Sequence, residues 1–193
     1  MGKFGADHNF VVVGPRRTGS VMITRALEKI TGKPRVQNFT PDEPGIMHIH
    51  QPNPSTIVDR ALHVLIISRR RDTFLGAISE IVAKRTGEFE TYTKNEIDLI
   101  NNPIRLHVDI DYFDKILNGR RDFYRTIDPN GYAHVVDVYL EDMLQYPYYL
   151  FERMGFTQKI ATPIETVKSP YRGRDIISNY DELEAYWLKR TSF

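Results

Sequence analysis

Two arginines held between glycines carry the clearest chemistry in this chain. Gly14-Pro15-Arg16-Arg17-Thr18-Gly19-Ser20 follows an apolar run from Phe10 to Val13 and precedes a helical pattern with apolar Val21, Met22, Ala26 and Leu27. A strand, a glycine-bounded turn and a helix in that order make an anion site. The first amides of the helix lack intrahelical partners, and the macrodipole places partial positive charge there. Gly14 and Gly19 let backbone approach a ligand closely, while Arg16 and Arg17 add charge and forked donors. The implied guest is a phosphate or sulfate group. Farther along, His48 and His50 alternate in the run IMHIH. A histidine accepts a hydroxyl proton near neutral pH.

The two glycines of the first loop have the spacing of a Walker A loop, G-x-x-x-x-G-K-[ST]. Ser20 and Val21 follow Gly19, so the phosphate lysine and the magnesium-binding hydroxyl are both absent from their usual positions. That disfavours a kinase-like NTPase. Arginine without a metal ligand suits a diphosphate-like or phosphosulfate donor instead.

The segment RRTGS, residues 16–20, resembles the 5′-phosphosulfate-binding loop of the P-loop sulfotransferases, P-[RK]-[ST]-G-[ST]-[TS]. Arg17, Thr18, Gly19 and Ser20 match it; Arg16 stands where proline is usual, and Val21 where a second hydroxyl is common. SRRRDTFLGAIS, residues 68–79, resembles the family's 3′-phosphate segment through Arg71 and Ser79. A second register, aligned on Asp72, places Ser68 and Gly76 there. The continuation AISEIVAKRTGEF is similar to bacterial members that sulfate carbohydrates. VYLEDM with Tyr146-Pro147 resembles the family's late strand. KSPYRGRDIISNYDEL resembles the C-terminal segment over the donor nucleotide, with Lys168, Arg172 and Arg174 as candidate phosphate ligands.

The resemblance implies a P-loop NTPase-like sulfotransferase fold, α/β with a three-layer open parallel sheet, spanning residues 1–193 as one domain. It implies transfer of a sulfuryl group from 3′-phosphoadenosine 5′-phosphosulfate (PAPS) to a hydroxyl or amine of a small acceptor such as a carbohydrate. The product would be 3′-phosphoadenosine 5′-phosphate (PAP), and no metal would be needed. Donor contacts would come from Arg16, Arg17, Thr18, Gly19, Ser20, Val21, Arg71 and Ser79, with Arg17 also at the leaving oxygen. HIHQP resembles the K-x-H-x-P segment of cytosolic members, which makes His50 the candidate general base and places His48 at the lysine. A carboxylate base such as Glu43, with Asp42 beside it, is the competing assignment. Two further readings stay open: a nucleotide-binding protein of the same fold without turnover, and a metal pair at His48 and His50, which share one strand face.

The elements that must position these residues are legible as runs. Ile46 to His50, His63 to Ser68 and Tyr132 to Tyr139 read as strands, the second apolar on both faces as in a parallel sheet. Ser55 reads as the N-cap of a brief helix reaching Arg60. Helices are expected over Thr73 to Arg85, twice between Lys94 and Gly119 with a break near Pro103, over Glu141 to Gly155 with a break at Pro147, and over Asp181 to Lys189. Residues 37–45 read as a loop, and residues 87–130 as a helical insertion on the acceptor side. Strands alternating with helices predict a parallel sheet with ligands outside the strands' carboxyl ends, where the first and third strands both run into arginine.

The bulk composition excludes more than it selects. Across 193 residues, 26 Lys and Arg oppose 25 Asp and Glu, a formal charge of +1, so nothing global points to nucleic acid or an anionic membrane. There is no cysteine, which rules out disulfides and thiolate chemistry. No run approaches the length of a membrane span and no signal-peptide pattern opens the chain, so a cytoplasmic protein is the expectation.

Overall fold

The chain is described as a computed structural model covering residues 8–39, 44–55, 57, 59–86, 105–146, 149–156 and 173–191. It is mixed α/β and divides into two compact units, residues 1–71 with 123–166 and residues 72–122 with 167–193.

The first unit is built on strands β1 (Asn9–Val13), β2 (Arg35–Val36), β3 (Ile46–Ile49), β4 (His63–Arg69) and β5 (His134–Tyr139). All pair in parallel, in the order β2-β3-β1-β4-β5. Parallel strands are normally covered on both faces, and β1 shows why its sequence has no polar alternation. Phe10 and Val12 face one core, with Ile46, Val64 and Ile66; Val11 and Val13 face another, with Met47, Leu65 and Ile67. On the first face lie helix α1 (Ser20–Thr31), through Ile23, Ala26 and Leu27, and two short helices, α4 (Leu140–Gln145) and α5 (Tyr149–Arg153), through Met143 and Leu150. Tyr124, Ile127 and Tyr132 pack on the other.

The second unit is helical: α2 (Thr73–Thr86), the body of α3 (Ile110–Thr126), α6 (Gly173–Ile176) and α7 (Tyr180–Thr191). Its core gathers Phe74, Ile78 and Ile81 with Phe113, Ile177 and Leu183. Inside it Arg120 Nη1 donates to Glu80 Oε2 at 2.9 Å, and both residues are buried. Gly76 makes room for that guanidinium, since a Cβ there would stand 2.7 Å from Arg120 Nη2.

The expected strands form within two residues of their expected ends. Three expectations fail. β2 falls where no strand was expected, because two residues carry no period of their own; they pair with Ile46 and Met47. The described residues between Ser55 and Asp59 carry no helix; Ser55 lies in a turn, and a short 3-10 turn forms later, over Arg60–Leu62, where the Asp59 side chain accepts from the Ala61 N–H. Helix α3 runs past Gly119 to Thr126. Residues 87–104 of the expected insertion lie outside the described residues.

Candidate functional site

β1 pairs with β3 on one side and β4 on the other, so the chain reverses its direction of winding at β1. In open parallel sheets that crevice, at the carboxyl ends, is where ligands bind. The loop of residues 14–19 leaves β1 there and enters α1 through Gly19, the N-cap, at φ 83°. That left-handed conformation favours glycine. A Cβ on Gly14 would lie 2.8 Å from the Ser68 carbonyl oxygen, so the loop's close seating on β4 also requires glycine.

An anion loop must turn its own acceptors away from the guest, and here the carbonyls are engaged by neighbours. The Gly14 carbonyl accepts from His50 Nδ1 at 2.8 Å. The Pro15 carbonyl accepts from Thr18 Oγ1 at 2.8 Å, and the Thr18 carbonyl accepts from Ser68 Oγ at 2.7 Å. Arg70 Nη1 reaches the Arg17 carbonyl at 3.4 Å, and the Gly19 carbonyl takes the Ile23 N–H at 3.0 Å. Thr18, Ser20 and Ser68 are buried. Tyr124 Oη in turn donates to the Ser68 carbonyl at 2.9 Å. At the turn's centre Arg17 carries φ 65°, the one non-glycine residue with positive φ among the described residues. Backbone strain of this kind persists only where its surroundings enforce it.

The histidines reach the loop from β3. Alternation puts His48 and His50 on the α1 side of the sheet, with their ring centroids 4.7 Å apart. His48 Nε2 lies 2.8 Å from Ser20 Oγ, at the first residue of α1. Burial lowers its pKa, and the neighbouring His50, Arg35 and Arg16 lower it further, to about 4. His48 is therefore neutral at pH 7. His50 donates through Nδ1 to a carbonyl, which fixes its neutral tautomer and leaves Nε2 as the acceptor nitrogen. Among the described residues no third His, Cys, Asp or Glu joins this pair in a group that could hold a metal ion.

Arginines at and just after the end of β4 meet acids of β5 and of α4. Arg69 pairs with Asp137 and lies over Tyr124, 4.8 Å from the ring centroid. Arg70 stands 4.0 Å from Glu141. Arg71 forks onto Asp142, with Nη2 to Oδ2 at 2.8 Å, and lies over the Tyr139 ring. The hydrogen bonds to Asp142 raise the Arg71 pKa, so it stays charged.

No family model, curated protein or solved structure matches the chain.

The fold thus brings Arg16, Arg17, Thr18, Gly19, Ser20, His48 and His50 to one end of the first unit's sheet. Val21, the second residue of α1, is half-buried there. Arg71 belongs to the same unit, with its fork occupied by Asp142. Ser79 lies half-buried on α2 in the second unit. Arg174, also in the second unit, pairs with Asp181 and Glu184 and stands over Tyr180. Lys168, Arg172, Glu43 and Asp42 lie outside the described residues.

Sequence reasoning missed three partners. Ser68 supports the loop; its signal was a hydroxyl ending the apolar run from Val64 to Ile67. The acid pair Glu141-Asp142 was visible in VYLEDM but not as the counter-charge of Arg70 and Arg71. The His48–Ser20 contact had no sequence signal, because the residues are 28 apart and meet only through β1–β3 pairing.

Proposed function

We propose that this chain is a PAPS-dependent sulfotransferase acting on a hydroxyl or amine of a small acceptor. The observation that carries the reading is the loop of residues 14–19, whose carbonyls at Gly14, Pro15, Arg17, Thr18 and Gly19 are all satisfied by the protein. With its acceptors engaged, a helix N-terminus behind it and two arginines on it, such a loop favours a bound phosphate or phosphosulfate. The missing Walker lysine and hydroxyl argue against a nucleoside triphosphate.

PAPS supplies a sulfuryl group attached to a phosphate leaving group. The acceptor oxygen forms the new S–O bond as the S–O bond to that phosphate breaks. Arg17 stabilises the charge gathering on the leaving oxygen. His50 takes the acceptor's proton at Nε2, the nitrogen that its bond to Gly14 leaves without hydrogen. The ring is held by that bond, so it is oriented before the acceptor arrives.

The alternative reading is a nucleotide-binding protein of the same fold without turnover. In either, Asp142 takes both arms of Arg71, so a 3′-phosphate has to displace a carboxylate to use them.

Calorimetric titration with PAP, beside ATP with magnesium, tests both. PAP should bind in preference to ATP, and Arg17→Ala should weaken it by about tenfold or more, the cost of a charge-assisted hydrogen bond. ATP binding without PAP binding returns the loop to kinase-like chemistry, and binding of neither sinks the proposal. Given PAP binding, acceptor screening with His50→Gln separates the readings. The enzyme loses about 10²–10⁴ in turnover and keeps its PAP affinity. A binding protein shows no turnover to lose.

A further inference from the structure

His48 has no role in that mechanism, yet it ties β3 to the start of α1. Its Nε2 stands 2.8 Å from Ser20 Oγ, and Ser20 is only 3% exposed, so little water competes for the hydroxyl. A serine has one proton to give. When the ring is neutral with hydrogen on Nδ1, Ser20 spends that proton on Nε2 and can only accept from its surroundings. When both ring nitrogens carry hydrogen, Nε2 must donate to Ser20, and the hydroxyl proton is released to point elsewhere. The state of one ring therefore decides whether Ser20 presents a donor or a lone pair at the mouth of the loop.

The groups facing His48 can be named for each element around it. Ser20 comes from α1, His50 from β3 itself, Arg35 from β2 and Arg16 from the loop after β1. Arg35 is paired with Glu28 of α1 at 3.1 Å. Val12 stands opposite on β1. Among the described residues the charged groups acting on His48 are cations. They hold the ring neutral. An anion with two negative charges reverses the local sign, favours the charged ring and receives the released Ser20 hydroxyl.

We propose that His48 is a positioning residue that couples binding of a dianion in this loop to the uptake of one proton, turning the Ser20 hydroxyl toward the ligand. This rests on the reading of residues 14–20 as the anion loop. It also gives that loop a preference: a terminal phosphate dianion, as on PAP, gains more from the charged ring than the singly charged phosphate of a phosphosulfate.

The probe is inorganic sulfate, a dianion that does not itself titrate between pH 5 and 7, with the full chain in calorimetry. Sulfate affinity should rise about tenfold from pH 7 to pH 5, one proton's linkage across that window. His48→Gln, which keeps an amide near the Nε2 position but cannot titrate, should cut the rise to less than about twofold. His134→Gln, at the amino end of β5 and not among the groups that act on His48, should leave it intact. Because a variant can misfold, the wild-type ring is also read by nitrogen–proton NMR, where the His48 titration midpoint should move up by about two units when sulfate is added, the shift that a tenfold rise by pH 5 requires.

An equal rise in His48→Gln, a rise lost as fully in His134→Gln, an unmoved His48 midpoint or no sulfate binding at either pH overturns the proposal. PAP, titrated separately at pH 7, keeps the two ideas distinct. Proton-linked sulfate binding without PAP binding upholds the role of His48 and removes the PAPS donor. PAP binding without proton linkage does the reverse.

Discussion

Arg17 joins a functional group to a strained backbone, and the two can be separated. Its φ of 65° lies where a Cβ is costly and glycine is at ease. Arg17→Ala keeps the strain and removes the guanidinium; Arg17→Gly removes both. The glycine variant should therefore be more stable than the alanine variant by about 1 kcal/mol in urea denaturation. Both should lose PAP affinity to a similar degree, about tenfold or more. Equal stabilities would mean that the left-handed conformation is not enforced at this residue. Unequal affinities would mean that backbone shape, and not the guanidinium alone, holds the anion. A sequence can show that an arginine sits between two glycines. It cannot show which residue of the turn takes positive φ, because that follows from how Ser68, Thr18 and Arg70 hold the loop carbonyls.

At the scale of elements, the strands were legible and their neighbours were not. The apolar runs of β1, β3, β4 and β5 stand out because a parallel sheet buries both faces. β2 was hidden because Arg35 and Val36 have no pattern of their own. The turn from β5 into α4 was read as a mark of the fold, yet it supplies Glu141 and Asp142 to the arginines ending β4. Those acids lie 70 and more positions from their partners, and only the β4–β5 register, which sets Arg69 beside Tyr139, brings them within reach. The pairing changes what Arg71 can do. A phosphate approaching it competes with a bidentate carboxylate, so Asp142 opposes the anion. Asp142→Asn should raise PAP affinity by about three- to tenfold, and Arg71→Ala should lower it. If Asp142→Asn leaves PAP affinity unchanged while Arg17→Ala lowers it, Arg71 is a structural partner of α4 and not a donor ligand.

For the molecule as a whole, near-neutral charge conceals a cationic surrounding for one imidazole, and that surrounding should appear in the pH dependence of folding. His48 is held at about 4 by burial, His50, Arg35 and Arg16, against 6.5 for an unconstrained histidine. Burial also lowers His63, whose Nδ1 donates to the Asp59 carbonyl at 2.6 Å. Between pH 6.5 and 4 the unfolded chain binds a proton at each position more readily than the folded chain does. Stability contributed by the neutral rings is thus complete above pH 6.5 and is lost as pH falls toward 4. The His48 share should be of order 1–3 kcal/mol, reduced from its full linkage value because the ring is only partly buried. Urea midpoints measured from pH 7.5 to 4.5 should fall steadily for the wild type and less steeply for His48→Gln. Adding sulfate should flatten the wild-type curve, because a dianion in the loop lets the folded chain take up the proton that otherwise favours unfolding. A wild-type curve no steeper than that of His48→Gln would show that the arginines around β3 do not govern this ring. The case for His48 as the proton-linked residue of the loop would then fall with it.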